Sequence, residues 1–146
     1  MPEGAERRQR VAAYGVCIDA SGRVLLARAA LSLTIAGRWF LPGGGLDHGE
    51  SPVAGLEREF EEETGLTVVV GKLRRVLSDT MTLPSQVSLH TIRLIYDIAS
   101  FAGELRAEVG GSTDAVRWVP RDQVRELPIM PYVDEALFGA EDLSLP

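Results

Sequence analysis

The sequence predicts an α/β fold in which a mixed β-sheet is packed between helices. Three observations predict it: apolar runs of strand length recur along the chain, one strongly patterned helix interrupts them, and short helix signals follow the last run. At 146 residues the chain is long enough for one well-cored domain and too short for two ordinary ones. We therefore expect one domain over residues 1–146, with its core at about residues 10–138.

The N-terminal part of the chain predicts two strands. A loose polar arm is expected at residues 1–8. The apolar runs Val11–Ile18 and Val24–Ala29 then flank a turn-like segment that ends at Gly22, which indicates a hairpin. Cys17 lies in the first of these runs, so a buried structural role is favoured over catalysis by its thiol.

A helix with clear end signals follows. A loop over residues 30–37 and an extended segment over residues 38–41 lead into a glycine-rich breaker at residues 42–45. The start of the helix is marked by a serine N-cap and a proline, and its end by a glycine after the last turn: Ser51, Pro52 and Gly65. The helix is expected to run to about Thr64.

The second half of the chain predicts further strands and two short helices. Residues 66–70 and 73–78 have extended patterns, with a turn near Gly71. The remaining elements are a long alternating strand, a short strand closed by a proline, and two short helices: Val87–Ala99, Ala115–Val119, Asp122–Leu127 and Pro131–Phe138.

The predicted helix has an apolar side for packing. On a helical wheel, Val53, Leu56 and Phe60 fall within a sector about 60° wide, which is expected to face the sheet. Glu57 and Glu61 fall on one flank, as expected for a solvated charged face.

Three more glutamates share the other flank of the helix: Glu59, Glu62 and Glu63. Like charges at these spacings repel by a few tenths of a kcal/mol per pair, and a position beside buried apolar surface adds a desolvation cost. A hard divalent cation would offset both effects, because such ions prefer carboxylate oxygens. We therefore interpret the trio as the metal site of an enzyme that acts on a diphosphate.

Arg58 and Glu50 are interpreted as residues that organise this cluster. Arg58 can reach Glu62 one turn further along, and it can also reach back to Glu50 before the helix. Gly55 costs helix stability, and two explanations are open. It leaves clear space for a substrate phosphate, or it lets another element pack closely.

The segment from Gly44 to Leu66 resembles the Nudix hydrolase signature at every specified position. The matching residues are Gly44, Glu50, Arg58, Glu59, Phe60, Glu62, Glu63, Gly65 and Leu66. Residues 39–44 and 116–120 resemble flanking parts of that family, so the resemblance covers about residues 10–138. It implies an α/β/α sandwich with a mixed sheet, and hydrolysis of nucleoside diphosphates linked to a further moiety X.

The resemblance also implies roles for particular residues. Glu59, Glu62 and Glu63 would bind Mg²⁺, or Mn²⁺, with the Gly43 carbonyl as a further ligand, and Glu50 and Arg58 would support them. Family members often use an additional acid outside the signature. Asp114 is the first candidate, against an ordinary turn aspartate, and Glu104 and Glu108 come after it.

Substrate contacts are assigned with alternatives. Gly44 and Gly45 are expected to line the substrate site. Arg28 could bind a phosphate or be a solvated strand end, and Trp39 could stack on a base or belong to the core.

The expected partner is a small-molecule nucleotide. A net charge of -6 argues against nucleic acid polymers and membranes, and a lone cysteine suits the cytoplasm. The oligomeric state, monomer or homodimer, is open. The ADP-ribose subgroup of the family has a characteristic proline downstream of the signature, and Pro84 lies two residues from that position. The sequence therefore has no clear subgroup mark, and nucleoside triphosphates, ordinary or oxidised, and nucleotide sugars stay open as substrates.

Two rival functions make different demands on the same residues. A non-catalytic Nudix-type sensor domain that binds a nucleotide would be expected to have lost carboxylates, and none is missing here. An isoprenoid diphosphate isomerase would need a catalytic cysteine, for which Cys17 is badly placed.

Overall fold

The computed structural model describes residues 6–30 and 35–139. Most of the polar arm predicted at residues 1–8, and residues 31–34 of the predicted loop, lie outside these ranges. The elements in chain order are β1 Arg7–Val16, β2 Arg23–Ala29, β3 Trp39–Phe40, β4 Gly43–Gly45, α1 Pro52–Thr64, β5 Thr67–Thr82, β6 Ser88–Ala102, β7 Thr113–Pro120, a 3₁₀ helix Arg121–Glu126 and α2 Pro131–Phe138. None of the helices in the described ranges is long and apolar enough to cross a membrane.

The strands form two sheets. A four-stranded mixed sheet has the order β4-β1-β6-β5, and its β1–β6 pair is parallel. A three-stranded antiparallel sheet has the order β3-β2-β7. The predicted α/β fold with a mixed sheet is confirmed, and the second sheet is an addition to it.

The predicted hairpin between the first two runs is present at its turn but does not continue along the strands. β1 pairs with β6 along its whole length, whereas β2 belongs to the other sheet. In the described part of the chain, the two runs are joined at the bridge between Ile18 and Val24, where the Leu25 amide donates a hydrogen bond to the Cys17 carbonyl. The parallel partner comes from a distant part of the sequence, so local turn signals could not reveal it. The same pairing extends β1 back to Arg7, where an unstructured arm was expected.

The turn predicted near Gly71 is a bulged region inside the single strand β5. The register of β5 against β6 shifts between Val70 and Leu73. A Cβ at Gly71 would lie 2.9 Å from the Asp97 carbonyl oxygen. The glycine therefore permits a close approach of two backbones without ending the strand.

Helix α1 begins and ends where its signals predict. The Ser51 side chain accepts a hydrogen bond from the Ala54 amide at 3.1 Å. Gly65 has a left-handed backbone with φ of 78°, and its amide donates to the Glu61 carbonyl. Both caps are local interactions, which explains why the sequence alone locates this helix.

The packing face of α1 differs in part from the prediction. Leu56 and Phe60 are fully buried in a cluster with Ala13 of β1. Val53 is 41% exposed, so its predicted place on this face is wrong. Helical side chains lean toward the N-terminus, and a first-turn side chain therefore points past the end of the helix. Glu63 is buried on this side instead.

Candidate active site

Strand β4 brings the backbone of the glycine loop against α1. A Cβ at Gly43, whose φ is 143°, would collide with the Ala13 carbonyl of β1. The Gly43 amide donates a hydrogen bond of 2.7 Å to Glu63 Oε1. A Cβ at Gly44 would lie 3.0 Å from Glu59 Oε1. Gly43 therefore permits the close approach of β1, and Gly44 leaves room for the Glu59 carboxylate.

The carboxyl groups of Glu63 and Glu59 are largely removed from solvent. Glu63 is 1% exposed and has no cationic partner in the described part of the chain. Burial raises its pKa well above the ordinary value, and the Gly43 amide offsets only part of this effect. Burial also raises the pKa of Glu59, against an opposing effect of Arg58. An added cation would stabilise both ionised carboxylates.

The predicted brace between Arg58 and Glu50 is present. Arg58 Nε donates to Glu50 Oε2 at 2.8 Å and Nη2 donates to Glu50 Oε1 at 2.9 Å. Glu50 Oε1 also accepts from the Asp47 amide at 3.0 Å. The hydrogen bonds from Arg58 are the main reason that the pKa of Glu50 falls to about 2.

Gly55 is explained by close packing rather than by open space. A Cβ there would lie 2.5 Å from Leu46 Cδ2 and 2.8 Å from Glu50 Oε1. The loop before α1 therefore rests directly on the helix at this position. The missing side chain serves the Glu50–Arg58 brace, and the alternative of a cleared phosphate site at Gly55 is not supported.

Glu62 is not gathered with the other two glutamates. Its side chain is 48% exposed, and Oε2 accepts a hydrogen bond of 3.4 Å from Arg58 Nη1. Arg58 Nη1 also contacts Glu59 Oε1 at 3.2 Å, so the guanidinium lies between the two carboxylates. Within residues 6–30 and 35–139, no three acidic, histidine or cysteine side chains come together as a ready metal-binding group.

A cavity of about 470 Å³ opens beside Glu59 and Glu63. One end is lined by these acids and by β4. The apolar part of its wall consists of Ile35, Phe40, Met81, Leu83, Leu89 and Met130. The cavity thus joins a negatively charged end to a surface suited to an organic group.

A buried arginine forms part of the cavity wall. Arg93 is 7% exposed and donates two hydrogen bonds to the Asp79 carboxylate, at 2.7 and 3.1 Å. Its Nη1 donates to the Tyr14 hydroxyl at 2.9 Å, and its guanidinium lies 4.2 Å from the centre of the Tyr132 ring. The Tyr132 hydroxyl is buried without a hydrogen-bond partner among the described residues.

Sequence reasoning missed Arg93 and Asp79 as site residues. A signal was present, because Arg93 occupies the same alternating face of its strand as Thr91 and Ile95, both of which are buried. A charged residue at such a position needs a partner. Its partner is supplied by the neighbouring strand β5, which the sequence pattern did not align with β6.

Three predicted site residues lie together but outside this cavity. Arg28 Nε donates to Asp114 Oδ1 at 2.7 Å, and the Arg28 guanidinium lies 5.6 Å from the centre of the Trp39 ring. Trp39 is only 6% exposed and belongs to the core. The pairing of β2 with β3 and β7 places all three on the antiparallel sheet. None of them lines the cavity beside Glu59 and Glu63.

Glu108 is a further acid outside the signature that lies near the carboxylates. Its charge contributes to the raised pKa of both Glu59 and Glu63. Its Oε1 accepts hydrogen bonds of 3.3 Å from the amide and hydroxyl of Thr113. Asp114, the first candidate from the sequence, is paired with Arg28 instead.

The oxygen donors at this site fit a hard divalent cation. Glu59 and Glu63 border the cavity as carboxylates whose ionised forms burial disfavours, and anionic oxygen ligands are those that Mg²⁺ and Mn²⁺ prefer. Cys17 offers no alternative chemistry, because it is buried and burial raises its thiol pKa to about 12.

The chain is similar to known proteins in both sequence and fold. A family model described as the NUDIX domain matches residues 8–137. A MutT-like protein of Streptomyces ambofaciens is 33% identical over 116 residues, which are 80% of this chain and 67% of that protein. The CTP pyrophosphohydrolase of Escherichia coli K12 is 28% identical over 115 residues, 78% of each chain. The crystal structure of a MutT NUDIX hydrolase from Burkholderia pseudomallei aligns with a TM-score of 0.77 and 27% identity, covering 92% of this chain and 99% of that one.

Proposed function

The chain belongs to the Nudix family of pyrophosphohydrolases. From this membership and from the buried carboxylates, we propose that it hydrolyses a phosphoanhydride bond of a nucleoside triphosphate, with Mg²⁺ as cofactor. One observation carries the proposal: Glu63 is 1% exposed, accepts a hydrogen bond from the Gly43 amide, has no cationic side-chain partner among the described residues, and lines a cavity of about 470 Å³. Such an arrangement is costly for folding alone and useful when a cation binds.

Enzymes of this family generally use divalent metal ions. Here Glu59 and Glu63 would hold the ion, with Glu62 and the Gly43 carbonyl as the further ligands that the family pattern assigns. When bound, the ion supplies positive charge against the diphosphate and makes the attacking water more acidic. Mn²⁺ has the same preference for oxygen ligands and is the expected substitute.

The protein's own residues position the carboxylates of the site and remove a proton from the attacking water. The Glu50–Arg58 brace holds the glycine loop on α1 and so keeps Gly43 and Gly44 against the two carboxylates. Glu59 and Glu63 border the cavity, and one of these carboxylates would accept the proton of the attacking water. Glu108 is the next candidate for the base and replaces Asp114 in the proposal.

The cavity supports a nucleoside triphosphate as substrate class. Its volume of about 470 Å³ lies in the range of small-ligand sites. The apolar side chains of Phe40, Met81, Leu83 and Leu89 offer a surface for a base, while the polyphosphate lies toward Glu59 and Glu63. The named activity of the E. coli relative, CTP pyrophosphohydrolase, agrees with this class.

A substrate panel with a matched pair of variants tests the proposal. CTP, dGTP, 8-oxo-dGTP and a nucleotide sugar would be incubated with Mg²⁺, and the products identified by chromatography. We expect a nucleoside triphosphate to give the monophosphate and pyrophosphate. Glu63→Gln should lower kcat at least about 100-fold, because it removes an anionic ligand at the reacting centre. Glu61→Gln, an exposed glutamate on the same helix, should change kcat less than about twofold.

Two results would contradict the proposal. One is full activity of Glu63→Gln with a normal melting curve. The other is a wild-type protein that cleaves none of the four compounds in Mg²⁺ or Mn²⁺.

A further inference from the structure

The cavity contains an arginine whose charge is unmatched in the described residues, and we propose that this residue, Arg10, contacts the polyphosphate chain of the substrate. The inference rests on the proposed function, since it needs a substrate with phosphates at the acidic end. It assigns a substrate contact to β1, outside the family signature and outside the residues singled out by the sequence.

Arg10 reaches the cavity from the mixed sheet. It pairs in register with Thr91 of β6, and Thr91 pairs with Asp79 of β5. These three residues form a row across the sheet, and all three line the cavity. The Arg10 guanidinium extends toward the glycine loop, where its Cζ would lie 3.7 Å from a Cβ at Gly45.

The hydrogen-bonding capacity of Arg10 is largely unused. Its one side-chain hydrogen bond among the described residues goes from Nη2 to the Tyr14 hydroxyl at 3.2 Å. No described carboxylate lies within 4.0 Å of its guanidinium nitrogens as an ion-pair partner. A guanidinium has five N–H donors in a planar fork, which suits two oxygens of one phosphate.

The other arginines near the site are already engaged. Arg93 donates to Asp79 and Tyr14, and Arg58 is held by Glu50. Arg28, which the sequence suggested as a phosphate contact, is paired with Asp114 outside the cavity. Among the described residues, Arg10 is therefore the cavity arginine that is left to bind an anion.

The charge of the site explains why such a contact is needed. Glu59 and Glu63 border the cavity, and the nearby charge of Glu108 adds to theirs. A polyphosphate entering this region would be repelled unless positive charge met it on more than one side. The proposed cation supplies charge at the acids, and Arg10 supplies it at Gly45. Because arginine–phosphate pairs are charge-assisted and often bidentate, the contact also fixes the direction of the chain.

The test compares two substitutions at Arg10 with one on the same strand. Arg10→Ala should raise KM for the preferred nucleoside triphosphate about 10- to 100-fold, as expected for losing hydrogen bonds to a charged group, with a smaller change in kcat. Arg10→Lys, which keeps the charge but not the fork, should fall between Arg10→Ala and wild type. The control is Arg8→Ala, because Arg8 is 60% exposed in its side chain, pairs with Glu6 and does not line the cavity.

Inorganic triphosphate separates a phosphate contact from a base contact. If Arg10 binds phosphate, the inhibition constant of triphosphate should rise in Arg10→Ala by a factor similar to the rise in KM. Isothermal calorimetry with a non-hydrolysable nucleotide should show the same loss of affinity without turnover. Melting temperature should stay near that of wild type, since the Arg10 side chain is exposed.

Each outcome gives a decision. An active wild type with unchanged KM and triphosphate inhibition in Arg10→Ala overturns the role of Arg10 and leaves the proposed function standing. A higher KM with unchanged triphosphate inhibition also overturns it, because the contact would then involve the base. Equal losses in Arg8→Ala and Arg10→Ala would indicate a general charge effect and reject a specific contact. A wild type that cleaves no panel compound removes the proposed function, and this inference with it.

Discussion

Replacing Gly55 by alanine tests whether the loop before α1 is braced against the helix. In an open helical position this change should stabilise the protein by about 1 kcal/mol, because alanine has the higher helix propensity. Here the new Cβ would lie 2.5 Å from Leu46 Cδ2 and 2.8 Å from Glu50 Oε1. The two effects oppose each other, and the neighbours decide which is larger.

The two neighbours respond differently to the new methyl group. Leu46 is half-buried and can change rotamer, whereas Glu50 is held by two hydrogen bonds from Arg58 and one from the Asp47 amide. Overpacking at a well-filled site costs about 1–3 kcal/mol, and moving Glu50 adds the loss of its hydrogen bonds. After subtraction of the helix gain, we expect Gly55→Ala to destabilise the protein by about 1–2 kcal/mol. The melting temperature should fall by about 3–6 °C.

Urea unfolding of a small set of variants measures this balance. Gly55→Ala would be compared with wild type, and again in a Glu50→Ala background, where the obstacle at 2.8 Å is gone. In that background alanine should be neutral or stabilising by up to about 1 kcal/mol. Ala54→Gly, at an exposed neighbouring position, reports the helix propensity without the steric contact. Stabilisation of wild type by Gly55→Ala, by the same amount in both backgrounds, would refute the brace.

Three other perturbations follow from contacts already described. Ser51→Ala removes the N-cap of α1 and should lower the free energy of unfolding by about 1 kcal/mol in urea titrations; an unchanged value would mean that the cap contributes nothing. Asp79→Asn leaves buried Arg93 without its carboxylate partner and should lower the free energy of unfolding by about 1–3 kcal/mol. This loss is smaller than for a fully buried pair, because the Asp79 side chain is 43% exposed. A thermal melt equal to that of wild type would contradict this. The pKa of Glu50 is lowered to about 2, so its stabilising effect is present above its ordinary pKa and is lost as pH falls toward 2. The stability difference between wild type and Glu50→Gln should therefore shrink from pH 6 to pH 3, and a constant difference would speak against the ion pair.

The parts of the fold that the sequence predicted well are those that local signals specify. Ser51 and Gly65 mark the ends of α1 through hydrogen bonds to residues within a few positions. The bounds of α2 also agree with the prediction, since Pro131 suits a first helical turn. The predicted contact between Arg58 and Glu50 is present for the same reason. The two residues are close in sequence, and the helical wheel of α1 gives the direction of the Arg58 side chain.

The parts that failed depend on contacts between distant segments. The parallel pairing of β1 with β6 separates β1 from β2, and no pattern within either run contains that information. The exposure of Val53 depends on where the sheet ends beneath α1, which a helical wheel does not show. Arg28 and Asp114 were each plausible alone, but strand pairing brings them to each other and away from the acids. Site residues contributed by separate strands therefore needed the structure.

The acidic end of the cavity has features that lower the stability of the protein alone. Glu63 is buried with no cationic side chain beside it among the described residues, and Glu59, which lies against Gly44 of β4, also has a raised pKa. Burial disfavours the ionised form of both acids, and the Gly43 amide and Arg58 offset this effect only in part. Natural sequences tend to keep such local conflicts where function needs them. Because one positive charge beside both acids would stabilise their ionised forms, the proposed cation accounts for the two raised pKa values together.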